Sequence, residues 1–192
     1  SKQVAALMTI TGLIDAPKAD KEFLSINGAQ GFSTFYGYYM LEAMATAGNY
    51  QGALDVIREY WGAMIDLGAT SFWEDFDINW IPNATPIDEL VPEGKKDIHG
   101  DCGAYCYVGF RHSLCHGWAS GPTSWLSRHI LGVEVIEPGC RQVRITPHLG
   151  DLQWVKGTFP TPYGEIQIYH EKQANGNVIS EVKAPKGVSV IK

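Results

Sequence analysis

The chain has 192 residues, 45% apolar and 19% charged, which suits one large domain or two small ones and lies far from the disordered range. Its 15 basic and 21 acidic residues leave a net charge of −6 with no basic run, which argues against nucleic acid and anionic membrane as partners. No apolar run approaches the roughly 18 residues of a membrane span, and Ser1-Lys2-Gln3-Val4 lacks a signal-peptide pattern.

Helical patterning comes first. Val4, Leu7, Met8 and Ile14 share one face of a predicted helix that stops before Pro17. A polar connection runs from Asp20 to Gly31. Ser33 is placed to cap a helix over 34–47. Tyr36, Tyr39, Met40, Ala43, Met44 and Ala47 make that helix apolar on nearly every side, the pattern of a helix buried all round. Gly48-Asn49 ends it. The next helix spans 51–67, with Leu54, Ile57, Tyr60, Trp61, Met64 and Ile65 on one face and Gln51, Asp55, Arg58 and Glu59 on the other. A buried helix joined to an amphipathic one by a short turn reads as an αα-hairpin with an inner and an outer member.

Gly68 stops the second helix, and Gly68-Ala69-Thr70-Ser71-Phe72-Trp73-Glu74-Asp75 follows. Residues 75–112 include Pro82, Pro86, Pro92, Gly94, Gly100 and Gly103, together with Trp80, Tyr105 and Tyr107. That predicts a long functional loop kept in order by its aromatics. Next comes Ser113-Leu114-Cys115-His116-Gly117-Trp118-Ala119-Ser120-Gly121-Pro122. Ser120 and Pro122 suit the start of a helix over 123–131.

After Gly132 the pattern turns to strands, predicted over 142–147, 152–159, 165–171, 178–183 and 188–191. Pro162-Tyr163-Gly164 and Ala174-Asn175-Gly176-Asn177 are turns, and Asn175-Gly176 is a strong hairpin signal. Five short strands predict a small antiparallel sheet or sandwich. The fold class is an α+β two-part chain, divided near residue 133 into 1–133 and 134–192.

Four cysteines stand at 102, 106, 115 and 140, the first three interleaved with His99, His112 and His116. Structural zinc sites pair a C-x2-4-C with a second close pair. Cys102 and Cys106 fit loosely and no second pair matches, so no metal site is assigned. The thiols read as buried and free, with a Cys102–Cys106 disulfide as the alternative.

Glu74 and His116 each sit among tryptophans and small residues. An indole covers the apolar face of a pyranose while a carboxylate moves a proton, so this pairing points to sugar chemistry. Asp75 and Asp77 are rival carboxylates. Either is placed to orient a water or hold a sugar hydroxyl, while both also fit as solvated charge. Trp61, Trp125 and Trp154 read as core.

Ser33-Thr34-Phe35-Tyr36-Gly37-Tyr38-Tyr39, Gly68–Glu74 and Ser113–Trp118, followed by Leu131-Gly132-Val133 and Arg144-Ile145-Thr146-Pro147, resemble in this order the C-terminal part of the bacterial α-L-rhamnosidase family of glycoside hydrolases. The likeness runs over nearly the whole chain. It implies that residues 1–133 are the last part of an (α/α)6 helical barrel and that 134–192 are a trailing β-sandwich domain. It implies an inverting hydrolase of terminal α-L-rhamnosides; no cofactor and no metal are assigned. Glu74 matches the family's general base and His116 a histidine that contacts the sugar. Trp73, Trp80 and Trp118 become candidates to line the pocket, because the C6 methyl of a 6-deoxy sugar rewards an apolar wall. The family's general acid falls upstream of the matched part, so the chain alone is expected to hydrolyse rhamnosides poorly or not at all.

Two other readings stay open. One is a non-catalytic carbohydrate-binding β-domain, with Trp154, Phe159, Tyr163 and Tyr169 as its platforms. The other is a helical-barrel glycosidase acting on a different α-glycoside. Because the 34–47 helix lacks an outward polar face, a homodimer through exposed apolar helix faces is also expected.

Overall fold

The computed structural model describes residues 1–98, 100 and 113–191. The chain forms two compact units, Ser1–Pro122 and Thr123–Lys192.

In the first unit, α1 spans Lys2–Ile10 and a short α2 spans Ala16–Ala19. The Asp15 carboxylate caps α2 by accepting from the Lys18 N–H at 3.0 Å, and Pro17 occupies its first turn, where no amide is needed. A wide π-type turn, Asp20–Leu24, leads on. Helix α3 spans Gly37–Thr46 and α4 spans Tyr50–Asp66. Asn49 caps α4 by accepting from the Gly52 N–H at 2.9 Å.

Helix α1 turns the opposite face inward from the one its aliphatic residues predict. Ala5, Ala6 and Thr9 are buried, while Val4, Leu7, Met8 and Ile10 are exposed. Small side chains let α1 approach α3 closely, and the Thr9 hydroxyl satisfies itself on the Ala5 carbonyl at 2.8 Å. Helix α3 is buried at Gly37, Met40, Leu41, Ala43, Met44 and Ala45, but Tyr36, just before it, is exposed. Burial is therefore not all round. Gly37 is glycine for a spatial reason, since a Cβ there would lie 2.7 Å from the Trp61 ring. Helix α4 buries Leu54, Tyr60, Trp61 and Met64 as expected and leaves Ile65 exposed at 68%. Ala53, Val56 and Ala63 complete the buried stripe. A two-residue parallel pair, β1 (Ala84–Thr85) and β2 (Lys96–Asp97), ties the loop that follows.

Helix α5 covers Gly121–Trp125, and a π-type turn, Leu126–Ile130, continues it. In the second unit, β3 (Val133–Val135), β4 (Gln142–Ile145) and β8 (Ser189–Ile191) form one sheet in the order β3-β4-β8. The pair β3–β4 is antiparallel, and β4–β8 is parallel. This corrects the expectation of a purely antiparallel sheet. The strand after Pro185 returns from the far sheet and enters beside β4 in the same direction, which local patterning cannot specify. Strands β5 (Trp154–Thr161), β6 (Gly164–Lys172) and β7 (Val178–Lys183) form an antiparallel meander. Its second turn is held by Gln173 N–H donating to the Asn177 carbonyl at 2.8 Å, with Gly176 at φ +84°.

One apolar cluster draws on both sheets. Leu131, Val133, Val143, Ile145, Ile166 and Ile168 are its buried members, and Val155, Phe159, Val182 and Val190 pack against them. Trp154 points the other way and is 59% exposed, which corrects its reading as core. Trp61 and Trp125 are buried as expected.

Candidate functional site

Two stretches distant in sequence lie side by side in the first unit. The Glu74 N–H donates to the Ser113 carbonyl at 2.8 Å, and the His116 N–H donates to the Phe72 carbonyl at 2.7 Å. These two bonds form a short ladder that brings the Trp73-Glu74 and Cys115-His116 stretches together. The Ser113 N–H then donates to Glu74 Oε2 at 2.9 Å. That bond fixes the direction of the carboxylate. On the other side of the residue, the Glu74 carbonyl accepts from the Thr34 hydroxyl at 2.5 Å and from the Trp118 indole N–H at 2.9 Å.

The His116 and Trp118 rings lie 4.1 Å apart, inclined by 33°. His116 Nδ1 is buried and has no hydrogen-bond partner among the described residues. An imidazole nitrogen in that state is either a donor or an acceptor waiting for a group to meet it. Trp118 is 46% exposed, and Phe35 packs on its ring at 5.6 Å. Phe35 also meets Tyr36 at 5.1 Å and Tyr39 at 5.8 Å. An exposed aromatic group therefore stands beside the Glu74 main chain.

The predicted residues fall into two groups. Glu74, His116 and Trp118 are brought together. Trp73 is fully enclosed and Trp80 nearly so. Both pack edge-on against Phe76 at 6.0 Å. Asp77 caps a short turn, Ile78–Trp80, by accepting from the Asn79 N–H at 2.9 Å and its side-chain amide at 2.7 Å. Sequence reasoning misses Thr34 as a partner of Glu74 and Phe35 as a partner of the Trp118 ring. Both lie in the Ser33–Tyr39 stretch, whose helical pattern does not disclose these distant contacts.

Cys102, Cys106, His99 and His112 lie outside the described residues, as do Tyr105 and Tyr107. Cys115 and Cys140 are free thiols, and Cys115 is exposed rather than buried. Among the described residues no helix is long and apolar enough to cross a membrane.

Comparison with known proteins gives this arrangement a context. The family model for the bacterial alpha-L-rhamnosidase C-terminal domain matches residues 132–191. The chain is similar to the GH78 family rhamnosidase of Bacillus sp. GL1, at 25% identity and a TM-score of 0.73, covering 99% of this chain and 18% of that one. It has the fold of a part of the Aspergillus terreus α-L-rhamnosidase, at 20% identity, a TM-score of 0.75 and coverage of 99% and 21%. The same holds for the Streptomyces avermitilis α-L-rhamnosidase complexed with L-rhamnose, at 18% identity, a TM-score of 0.72 and coverage of 99% and 18%. No curated protein sequence matches the chain.

The chain, a mixed helix-and-sheet fold, thus resembles a part of known glycoside hydrolases. Residues 132–191 resemble the bacterial α-L-rhamnosidase C-terminal domain, and the chain as a whole resembles a segment of the α-L-rhamnosidases. It spans about a fifth of the length of the enzymes it matches.

Proposed function

We propose that this chain carries the general base and part of the sugar pocket of an inverting α-L-rhamnosidase. In this reading residues 1–133 are the closing part of an (α/α)6 catalytic barrel and 134–192 a trailing β-sandwich. The observation that supports it most is the hold on Glu74. Its carboxylate is directed by the Ser113 amide, beside the His116–Trp118 ring pair, where His116 Nδ1 has no partner among the described residues.

An inverting glycosidase sets two carboxyl groups about 6.5–9.5 Å apart, so that one protonates the leaving oxygen while the other activates a water on the opposite face. Glu74 takes the second task, accepting a proton from that water. His116 meets a sugar hydroxyl through Nδ1. The exposed ring of Trp118, backed by Phe35, takes the apolar face of the 6-deoxy sugar. Trp73 and Trp80 support the site from the core, and Asp77 shapes the loop by capping its turn. The general acid is supplied from outside residues 1–192. The substrate is a terminal α-L-rhamnoside of an oligosaccharide, polysaccharide or glycoside, and no cofactor takes part.

Two measurements test this. L-rhamnose titrated into the chain shifts the NMR signals of the His116 ring and the Trp118 indole, and silence at both would sink the pocket. In a polypeptide that carries this chain and cleaves p-nitrophenyl α-L-rhamnoside, Glu74→Gln lowers kcat by about 10²–10⁴-fold, the usual contribution of a positioned base. Glutamine keeps an acceptor for the Ser113 amide, so the fold persists. An unchanged kcat would refute the assignment.

A further inference from the structure

The outer face of the β5-β6-β7 meander carries a site that Glu74 chemistry does not use. The register sets three residues in each rung across this face. Lys156, Tyr169 and Glu181 form one rung, and Thr158, Gln167 and Lys183 form the next. Trp154 begins β5 one step further along the same face. Together they line a groove of about 850 Å³. The Trp154 and Tyr169 rings are inclined by only 29°, with centroids 6.5 Å apart. They present a nearly continuous aromatic floor.

Two aromatic rings side by side in an open groove form a surface that a partner can cover. The surroundings say what that partner is. The floor is aromatic, and its rim is Lys156, Gln167, Glu181 and Lys183, which offer both donors and acceptors. A lipid surface has no use for that alternation of polar groups. A nucleic acid meets a chain of net charge −6. A pyranose matches both parts, since one face of its ring is C–H and its edge is hydroxyl.

We propose that this groove is a saccharide-binding site in its own right, in which a pyranose ring lies on Trp154 and Tyr169 and its hydroxyls meet the rim. The site is independent of the catalytic reading, and either can fail without the other. Its chemistry accommodates a neutral ring or, through Lys156 and Lys183, a uronate, and the test separates the two.

The 192-residue chain is titrated with L-rhamnose, with D-galacturonic acid and with oligosaccharides of a rhamnogalacturonan, followed by backbone and indole NMR. At least one of these shifts the Trp154 indole and the amides of Lys156, Gln167 and Tyr169 together. Trp154→Ala and Tyr169→Ala each weaken that binding at least tenfold. The folds of these variants are checked by the amide spectrum of β6 and β7. Binding that survives both substitutions overturns the proposal, as does failure of all three probes to move these signals. Shifts that follow protein concentration and ignore saccharide would assign the face to a second copy of the chain and also overturn it.

Discussion

His170 is the buried polar centre of the second unit, and its replacement by leucine gives the sharpest test of how that unit is held. The residue has no exposed surface. Its Nδ1 lies 2.7 Å from the Ser180 hydroxyl and its Nε2 lies 3.1 Å from the Leu131 carbonyl. A neutral imidazole serves both, with Nε2–H donating to the carbonyl and Nδ1 accepting from the hydroxyl. His170→Leu fills similar space but orphans both partners. A buried acceptor left unsatisfied costs about 1–3 kcal/mol, and the half-buried Ser180 hydroxyl less. The expected loss is about 2–4 kcal/mol at pH 7.5. Burial holds His170 below its ordinary pKa, opposed by the Leu131 carbonyl. The folded unit therefore binds fewer protons than the unfolded chain in mild acid. This contribution is complete above pH ~6.5 and drains away as the pH falls toward the lowered folded value. The gap between wild type and His170→Leu must narrow over that window. Amide exchange in β6, converted to opening free energies from pH 7.5 down to 5, measures both quantities. A gap that stays constant across the range, or a loss under about 1 kcal/mol at pH 7.5, would refute the reasoning.

Three other outcomes are expected. Gly132 has φ +74° and its added Cβ would lie 2.3 Å from the Thr146 carbonyl carbon, whereas Gly139, also at φ +74°, has nothing within 4 Å. Thermal unfolding should show Gly139→Ala costing only the left-handed penalty of about 1–2 kcal/mol and Gly132→Ala costing more, and equal losses would disprove the backbone clash. Asn49→Ala removes the α4 cap and the side-chain bonds to Asp20 at 2.8 Å and Ser25 at 3.0 Å. It should cost about 1–2 kcal/mol by urea unfolding, and Asn49→Asp, which keeps the cap but faces the Asp20 carboxylate, should recover stability in high salt. The exposed Val4, Leu7, Met8 and Ile10 should drive self-association that Leu7→Glu abolishes, as read by light scattering, and a monomer at millimolar concentration would count against it.

What the sequence discloses depends on how local the cause is. The β5-β6-β7 meander is legible because alternation and Asn175-Gly176 specify it within about thirty residues. Helix α4 is legible from its period, whereas Asn49 reads as the end of the helix before it and proves to be the α4 cap. Strand β3 has three residues, too few to show a period, and the parallel partnership of β4 with β8 joins positions 142 and 189. The inward face of α1 is hidden for another reason. Hydrophobicity favours the aliphatic side, but close approach to α3 favours Ala5 and Ala6. Trp154 shows the same limit, since alternation pairs it with a face and does not say which face is the core.

The candidate site follows this rule more severely. Glu74 and His116 stand out by their neighbours, but the bonds that hold them do not. The Thr34 hydroxyl reaches across 40 positions, Ser113 across 39 and Trp118 across 44. Glu74 thus has its amide, its carbonyl and its carboxylate each bonded to another part of the chain. A glutamate whose only task is solubility gains little from that, because a solvated carboxylate is stable in any rotamer and ordering a long side chain costs up to about 2 kcal/mol in lost rotamer freedom. A carboxylate that must meet one water on one face of a sugar gains a great deal, since a base works only within hydrogen-bond reach of its proton. The multiplicity of bonds at a half-buried acid, rather than its charge or its tryptophan neighbours, is the physical reason to prefer the catalytic reading of Glu74 over the solvated one.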